Sequence, residues 1–209
     1  MRPDVIERWV RRTGAAGALL AFTAIYSGVY RGLRHARGEM VGGENALARA
    51  FAKGSVPLYL AAGALGFGSL YLLWRPIRGG LSAPIRLAAL ILGSLLYFPG
   101  LALMVWGRAA MGEMHNVSTS VAVQLYADHR LVTSGPFAWM RHPMYLGGIL
   151  AELGALLLYR TWATLLMAAN IPVLIRRARI EEVALAARFG EQWEEYQRQV
   201  PMWVPRILR

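Results

Sequence analysis

The 209-residue chain contains no cysteine, and this absence excludes several kinds of chemistry. Without thiols the protein can form no disulfide, hold no zinc–thiolate centre and use no cysteine nucleophile. Its four histidines show no HExxH pattern or other metal-ligand spacing, so we expect no metal site.

Charged residues are also scarce, at 17% of the chain, where a soluble domain would carry roughly a quarter. Hydrophobic residues make up 56%, and the mean hydropathy is +0.36. The net charge of +11 comes from arginines that lie in short segments between apolar runs. Because arginines there can meet anionic headgroups, we expect membrane lipids rather than nucleic acid as partners.

Five apolar runs predict an all-α, polytopic membrane bundle of about five transmembrane helices. A spanning helix takes about 20 apolar residues, and the runs cover 13–30, 54–74, 87–106, from just after 143 to 159, and 161–175. The last two nearly abut and predict a tight helical hairpin. The first run has no A-x-A cleavage site and follows Asp4 and Glu7, which favours an anchor over a signal peptide. A bundle of four crossings, with the first run at the surface, is the alternative.

The distribution of basic residues predicts the orientation. With five crossings, the loops 31–53 and 107–142 and the tail from residue 176 share one side, with 15 Lys and Arg residues against 8 on the other. The positive-inside rule puts the richer side in the cytoplasm. The tail is polar and has a helical apolar stripe, with a break expected at Gly190 and an end at Pro201.

Two polar clusters flank the predicted hairpin. In the first, HRLVTSGPFAWMRHPMY (129–145), Pro143 suits the first turn of a helix, so Arg141 and His142 lie at a helix entrance. Free backbone N–H groups there favour an anion such as a carboxylate, although both side chains could simply anchor the helix at the headgroups. In the second cluster, Glu181 and Glu182 could hold an amine or ribose hydroxyls, or form a solvated helix face.

The two clusters together resemble a known family. HRLVTSGPFAWMRHPMY, then about 35 mostly apolar residues, then EEVALAARFGEQWEEYQRQVPMWVP is similar to the isoprenylcysteine carboxyl methyltransferase family. The wider family of integral membrane methyltransferases includes phospholipid N-methyltransferases. The resemblance runs from about residue 106 to the C-terminus. The apolar runs predict three transmembrane helices in residues 1–106. The resemblance implies a catalytic region in 107–209 whose cytosolic C-terminal helix completes a cofactor pocket.

The resemblance also implies a cofactor, S-adenosyl-L-methionine, and residues that hold it. His142 and Tyr145 would line the adenosine side, and Glu181 and Glu182 would hold polar groups. The backbone from Leu131 through Val132 to Gly135 would wrap the cofactor.

For the acceptor, the resemblance implies the carboxylate of an isoprenylcysteine-like or other lipophilic acid. Arg177 would grip this carboxylate, and Arg141 and Glu152 are the further catalytic candidates. The family's prenylcysteine enzymes carry an Asn-rich segment ending in histidine, where this chain has Met-His-Asn-Val-Ser-Thr at 114–119. One alternative is N-methylation of an aminophospholipid, with Glu152 or His115 as the base. Another is a lipid-binding membrane scaffold without activity.

Glu152 is unusual because it interrupts the fourth apolar run. It follows Tyr145 by seven residues, so the two share a helical face, with Glu152 roughly 10 Å deeper. An ionisable group inside a membrane helix is costly and points to function. The alternative is a protonated glutamate bonded to a neighbour such as Asn170.

Overall fold

The computed structural model describes residues 3–26, 40–41, 56–115, 123–124 and 129–204. Within these ranges the chain is helical apart from one two-residue antiparallel pairing of Met40–Val41 with Val123–Gln124. The helices are α1 (Pro3–Tyr26), α2 (Val56–Leu72), α3 (Ala83–Met111), α4 (Pro143–Tyr159), α5 (Trp162–Ala169), α6 (Ile171–Phe189) and α7 (Glu191–Gln199). Short 3₁₀ turns cover Gly112–Met114 and Gly135–Ala138.

The centre of the fold is the close pair of α3 and α4. A Cβ at Gly100 would lie 2.7 Å from the backbone of both Gly147 and Ala151, and one at Gly147 would lie 2.6 Å from the Gly100 carbonyl. Only glycine permits backbones to approach this closely. The pair is continued by a cluster of buried apolar side chains on both helices, consisting of Leu90, Tyr97, Ala151, Ala155 and Leu158.

A second, smaller core joins the end of α6 to α7. It contains Ala184, Leu185, Trp193, Tyr196 and Val200. Gly190, at φ +50°, ends α6 and starts α7, as the sequence predicted. Of the predicted apolar stripe, Ile180 and Ala184 pack onto α7, whereas Val183 and Ala187 are exposed. The α7 helix ends just before Pro201.

An ionic cluster ties three segments together at one end of the bundle. The Glu7 carboxylate, whose residue is 8% exposed, pairs with Arg11 at 2.6 Å, with Arg86 at 3.1 Å, and with Arg160. The Ile77 N–H also donates to the Arg160 carbonyl at 2.9 Å. The N-terminal helix, the 75–86 segment and the hairpin tip thus meet.

The helix boundaries confirm part of the predicted organisation and correct part of it. The predicted fourth run coincides with α4, but α1 starts at Pro3, well before the apolar run at 13. The prediction that the fifth run, 161–175, forms a single helix is wrong, because α5 stops at Ala169 and α6 starts at Ile171. A proline in the first turn of α6 has no N–H to continue the ladder of α5.

The all-α class is confirmed, whereas the number of crossings stays a prediction. Among the described residues, one helical stretch, Ala83–Met114, is long and apolar enough to cross a membrane. Ala61–Leu72 and Pro143–Tyr159 are apolar but shorter.

Candidate active site

The entrance of α4 is fixed by backbone pairing with the C-terminal tail. The Arg141 N–H donates to the Pro201 carbonyl at 2.9 Å, and the His142 N–H donates to the Met202 carbonyl at 3.2 Å. Pro143 then occupies the first turn of the helix, as predicted. Two N–H groups near this helix entrance are consequently already used by protein carbonyls.

The Arg141 guanidinium holds the tail and α6 against α4. Its Nε donates to Glu182 Oε1 at 2.7 Å, its Nη1 donates to the Val200 carbonyl at 2.6 Å, and its plane lies 5.9 Å from the centre of the Trp193 ring. Arg141 therefore bonds to two separate elements.

Glu182 is the acceptor at the centre of this arrangement. Besides Arg141, the His142 Nε2 lies 3.2 Å from Glu182 Oε1, and only 17% of the Glu182 side chain is exposed. Burial alone would raise the pKa of Glu182, but the hydrogen bonds and charges of His142 and Arg141 lower it to about 2. The expectation that Glu182 belongs to an exposed helix face is wrong, because α6 returns along α4 and buries that face.

The neighbouring glutamate belongs to a different network. Arg177 Nε donates to the Tyr145 hydroxyl at 2.9 Å, and Glu181 lies within hydrogen-bonding range of the same hydroxyl. Tyr145 also packs edge-to-face on His142, with ring centres 5.5 Å apart. A hydroxyl that accepts from a guanidinium and can donate to a carboxylate fixes both charged groups along one wall.

That wall borders a cavity of about 380 Å³, a size typical of small-molecule sites. Its polar lining brings together seven residues named from the sequence: Arg141, His142, Tyr145, Glu152, Arg177, Glu181 and His115. The remaining lining is Ile25, Met104, Met111, Phe137, Pro143, Met144, Gly148 and Leu174. Sequence reasoning missed Met104 and Met111, whose seven-residue spacing on α3 was the available signal.

His115 is buried at the edge of the cavity, just beyond α3. Burial lowers the pKa of His115 to about 4, and the positive charges of Arg108 and Arg177 act in the same direction. Its imidazole is therefore neutral at physiological pH, and it is a weak acceptor for a proton from an ammonium group.

Four predicted cofactor residues, Leu131, Val132, Gly135 and Glu182, lie outside this lining. Leu131 packs against the core of α6 and α7, and Val132 follows it, half-buried and outside any helix. Gly135, at φ +62°, forms the turn, where a Cβ would lie 3.2 Å from Ala110. Glu182 is likewise behind the cavity wall rather than on it.

The fold and the site together define the class of protein. It is a helical protein in which a cavity lined by charged groups, large enough for a small ligand, lies at one end of a pair of apolar helices. Residues 93–187 match the model of the isoprenylcysteine carboxyl methyltransferase (ICMT) family. This segment includes most of α3, all of α4 and both polar clusters. The resemblance predicted from the motifs is thereby confirmed for this part of the chain.

Curated relatives agree with the family match. A protein-S-isoprenylcysteine O-methyltransferase of Homo sapiens is 34% identical over 115 residues, which are 52% of this chain and 40% of that enzyme. The enzyme of the same name from Schizosaccharomyces pombe is 34% identical over 89 residues, covering 42% and 38%. A Drosophila melanogaster lamin-B receptor is 32% identical over 90 residues, 41% of this chain and 12% of that protein. The chain thus spans about two fifths of the length of the enzymes it matches.

Proposed function

We propose that this protein is a membrane methyltransferase that transfers a methyl group from S-adenosylmethionine to the carboxylate of an isoprenylcysteine-like or other lipophilic acid. The observation that carries the proposal is the cavity wall of Arg177, Tyr145 and Glu181, which lies at the end of an apolar helix pair. The family match of residues 93–187 supports the reaction type.

The residues present fit such a cofactor. Glu181 offers a carboxylate for ribose hydroxyls or an amine, and the packed rings of His142 and Tyr145 offer an aromatic surface for a nucleoside. When bound, S-adenosylmethionine supplies an electrophilic methyl group on a sulfonium. Glu182 and Arg141 would act as positioning residues, because they fix the entrance of α4 and so the place of His142.

The acceptor chemistry assigned to Arg177 needs no general base. A carboxylic acid with an ordinary pKa near 4 is already ionised at neutral pH. Arg177 can hold the plane of that carboxylate with its forked donors, and correct alignment supplies much of the rate. N-methylation would instead require loss of an ammonium proton, for which His115, with its pKa of about 4, is poorly suited.

The decisive experiment uses detergent-purified protein. We expect S-adenosylhomocysteine to bind in calorimetry, and labelled S-adenosylmethionine to methylate a lipophilic acid but not an aminophospholipid. Methyl transfer to the amine alone would refute the assignment of a carboxylate acceptor. If folded protein neither binds S-adenosylhomocysteine nor transfers a methyl group, a lipid-binding scaffold is favoured.

We also propose that the cavity faces the cytoplasm, on the side of the basic tail. Because the chain has no cysteine, single cysteines can report sidedness. Arg198→Cys lies on α7, with 64% of the Arg198 side chain exposed, and Gly80→Cys lies in the 75–86 loop, with open space around it. In intact cells an impermeant maleimide should label Gly80→Cys and not Arg198→Cys. The reverse pattern would overturn the orientation.

A further inference from the structure

Glu152 places a carboxyl group in the inner part of the cavity, where the proposed reaction does not use one. It lies on α4, two turns beyond Tyr145 and roughly 10 Å further along the helix axis. Met104 and Leu174 line the same cavity. The cavity thus has Arg177 and Glu181 near one end and an isolated acidic group among apolar side chains further in.

One oxygen of this carboxyl group has no partner among the described residues. Glu152 Oε2 is fully buried and has no hydrogen-bond partner among the residues that the structure describes. Asn170 is therefore not a partner of Glu152 Oε2, and the suggested structural role finds no support at this atom. A buried polar atom of this kind is costly unless something else in the cavity pairs with it.

An unsubstituted hydrocarbon tail would leave the carboxyl unpaired in the complex as well. Sites with a buried polar group discriminate strongly against ligands that cannot pair with it, whereas apolar pockets discriminate weakly between similar ligands. The inner cavity is therefore poorly matched to a purely hydrocarbon acceptor. The polar groups proposed to hold the cofactor, Glu181 and His142, lie at the other end of the lining, toward α6 and the entrance of α4.

We propose that Glu152 determines acceptor specificity, and that the acceptor is a lipophilic acid with a hydrogen-bond donor, a hydroxyl or an ammonium group, along its apolar chain at the depth of Glu152. The inference rests on the proposed function, with Arg177 at the carboxylate of the same molecule. The distance along α4 from Tyr145 to Glu152 sets the separation of carboxylate and donor at roughly 10 Å.

The test compares long-chain acids in matched sets: an unsubstituted parent, a series that carries one hydroxyl at successive chain positions, and the corresponding amines. With the wild-type protein, we expect kcat/KM for the best donor-bearing acid to exceed that of the parent by at least about tenfold, corresponding to one unpaired buried group. Glu152→Met should abolish this preference, and Glu191→Met, on the exposed start of α7, should keep it.

A second variant separates charge from hydrogen bonding and guards against misfolding. Glu152→Gln is nearly isosteric, so it should retain a preference for the hydroxyl while losing any preference for the ammonium group. Equal preference for donor-bearing and parent acids in the wild type, or the same preference in wild type and Glu152→Met, would overturn the proposal. The proposal would also be overturned if Glu152→Met lost affinity for S-adenosylhomocysteine but kept the preference among acids. The hydrogen-bond donor that pairs with Glu152 would then belong to the cofactor.

Direct binding distinguishes this inference from the proposed function. If no acid is methylated, the reaction type fails, but calorimetric affinities of the same acids still decide the role of Glu152. Tighter binding of the donor-bearing acid to wild type than to Glu152→Met, by about tenfold, supports the inference. Equal affinities refute it.

Discussion

The contribution of Glu182 to the fold can be measured by removing its charge. Glu182→Gln keeps the shape and one carbonyl oxygen, but it takes the negative charge away from Arg141 and His142. Arg141 would still reach the Val200 carbonyl. The variant therefore tests the charge at this junction and leaves the neighbouring main-chain contact in place.

The size of the effect follows from the lowered pKa. The pKa of Glu182 falls from 4.5 to about 2, because the His142 and Arg141 interactions outweigh the penalty of burial. At about 1.4 kcal/mol for each pH unit, this difference sets an upper limit of about 3 kcal/mol of stability, which solvent screening of the pair reduces. In a protein of this size, a loss of about 1–3 kcal/mol lowers the unfolding temperature by about 2–12 °C.

The pH dependence has a definite sign. A carboxyl group whose pKa is lower in the folded state stabilises the protein above its unfolded pKa. For Glu182 the contribution is complete above pH 4.5 and is lost as the pH falls toward 2. The gap between wild type and Glu182→Gln should therefore be widest near neutral pH and should narrow steadily below pH 4.5.

Tryptophan fluorescence during heating in detergent provides the assay, and Glu195→Gln provides the control. Glu195 pairs with Arg198 on the exposed face of α7, with 55% of its side chain exposed. Such surface pairs contribute little, so this variant should unfold close to the wild type. If Glu182→Gln and Glu195→Gln unfold alike near neutral pH, the argument that Glu182 anchors α6 to α4 is refuted.

Three further predictions concern the cavity and the helix pair. Arg177→Lys keeps the charge but loses the forked donors of the guanidinium group. Turnover on the true acceptor should therefore fall at least about tenfold, while S-adenosylhomocysteine affinity in calorimetry stays nearly normal. Near-normal turnover would instead favour a role for Arg177 as a headgroup anchor. Glu181→Gln should weaken S-adenosylhomocysteine binding without the thermal loss expected for a buried charge pair, and unchanged affinity would remove Glu181 from the cofactor site. Gly100→Ala should lower the unfolding temperature, because its Cβ would lie 2.7 Å from the α4 backbone, whereas Gly66→Ala in open space should not; equal effects would refute the close approach.

Local signals predicted where the helices around the cavity begin and end. Pro143 marks the start of α4, and Gly190 marks the junction of α6 and α7, because these residue types have strong backbone preferences. The hairpin was also sufficient to predict that the EE pair returns to Arg141 and His142. Glu182 contacts both residues.

Long-range packing accounts for most of what the sequence did not predict. The entrance of α4 is paired with the Pro201 and Met202 carbonyls, which lie some 60 residues away in the chain. No periodicity within either segment encodes that pairing. The same holds for Met104, which reaches the cavity because Gly100 and Gly147 bring α3 and α4 into contact.

The two consecutive glutamates show why a motif cannot assign roles by itself. Successive residues on a helix point about 100° apart, so Glu181 and Glu182 must face different surroundings once α6 packs against α4. Glu182 faces the Arg141 and His142 side chains and is largely buried, whereas Glu181 faces Tyr145 and the cavity. Here the EE pair therefore combines one residue bonded to Arg141 and His142 with one that lines the cavity. If both glutamates were assigned to ligand binding, the contacts by which Glu182 joins α6 to the entrance of α4 would be overlooked.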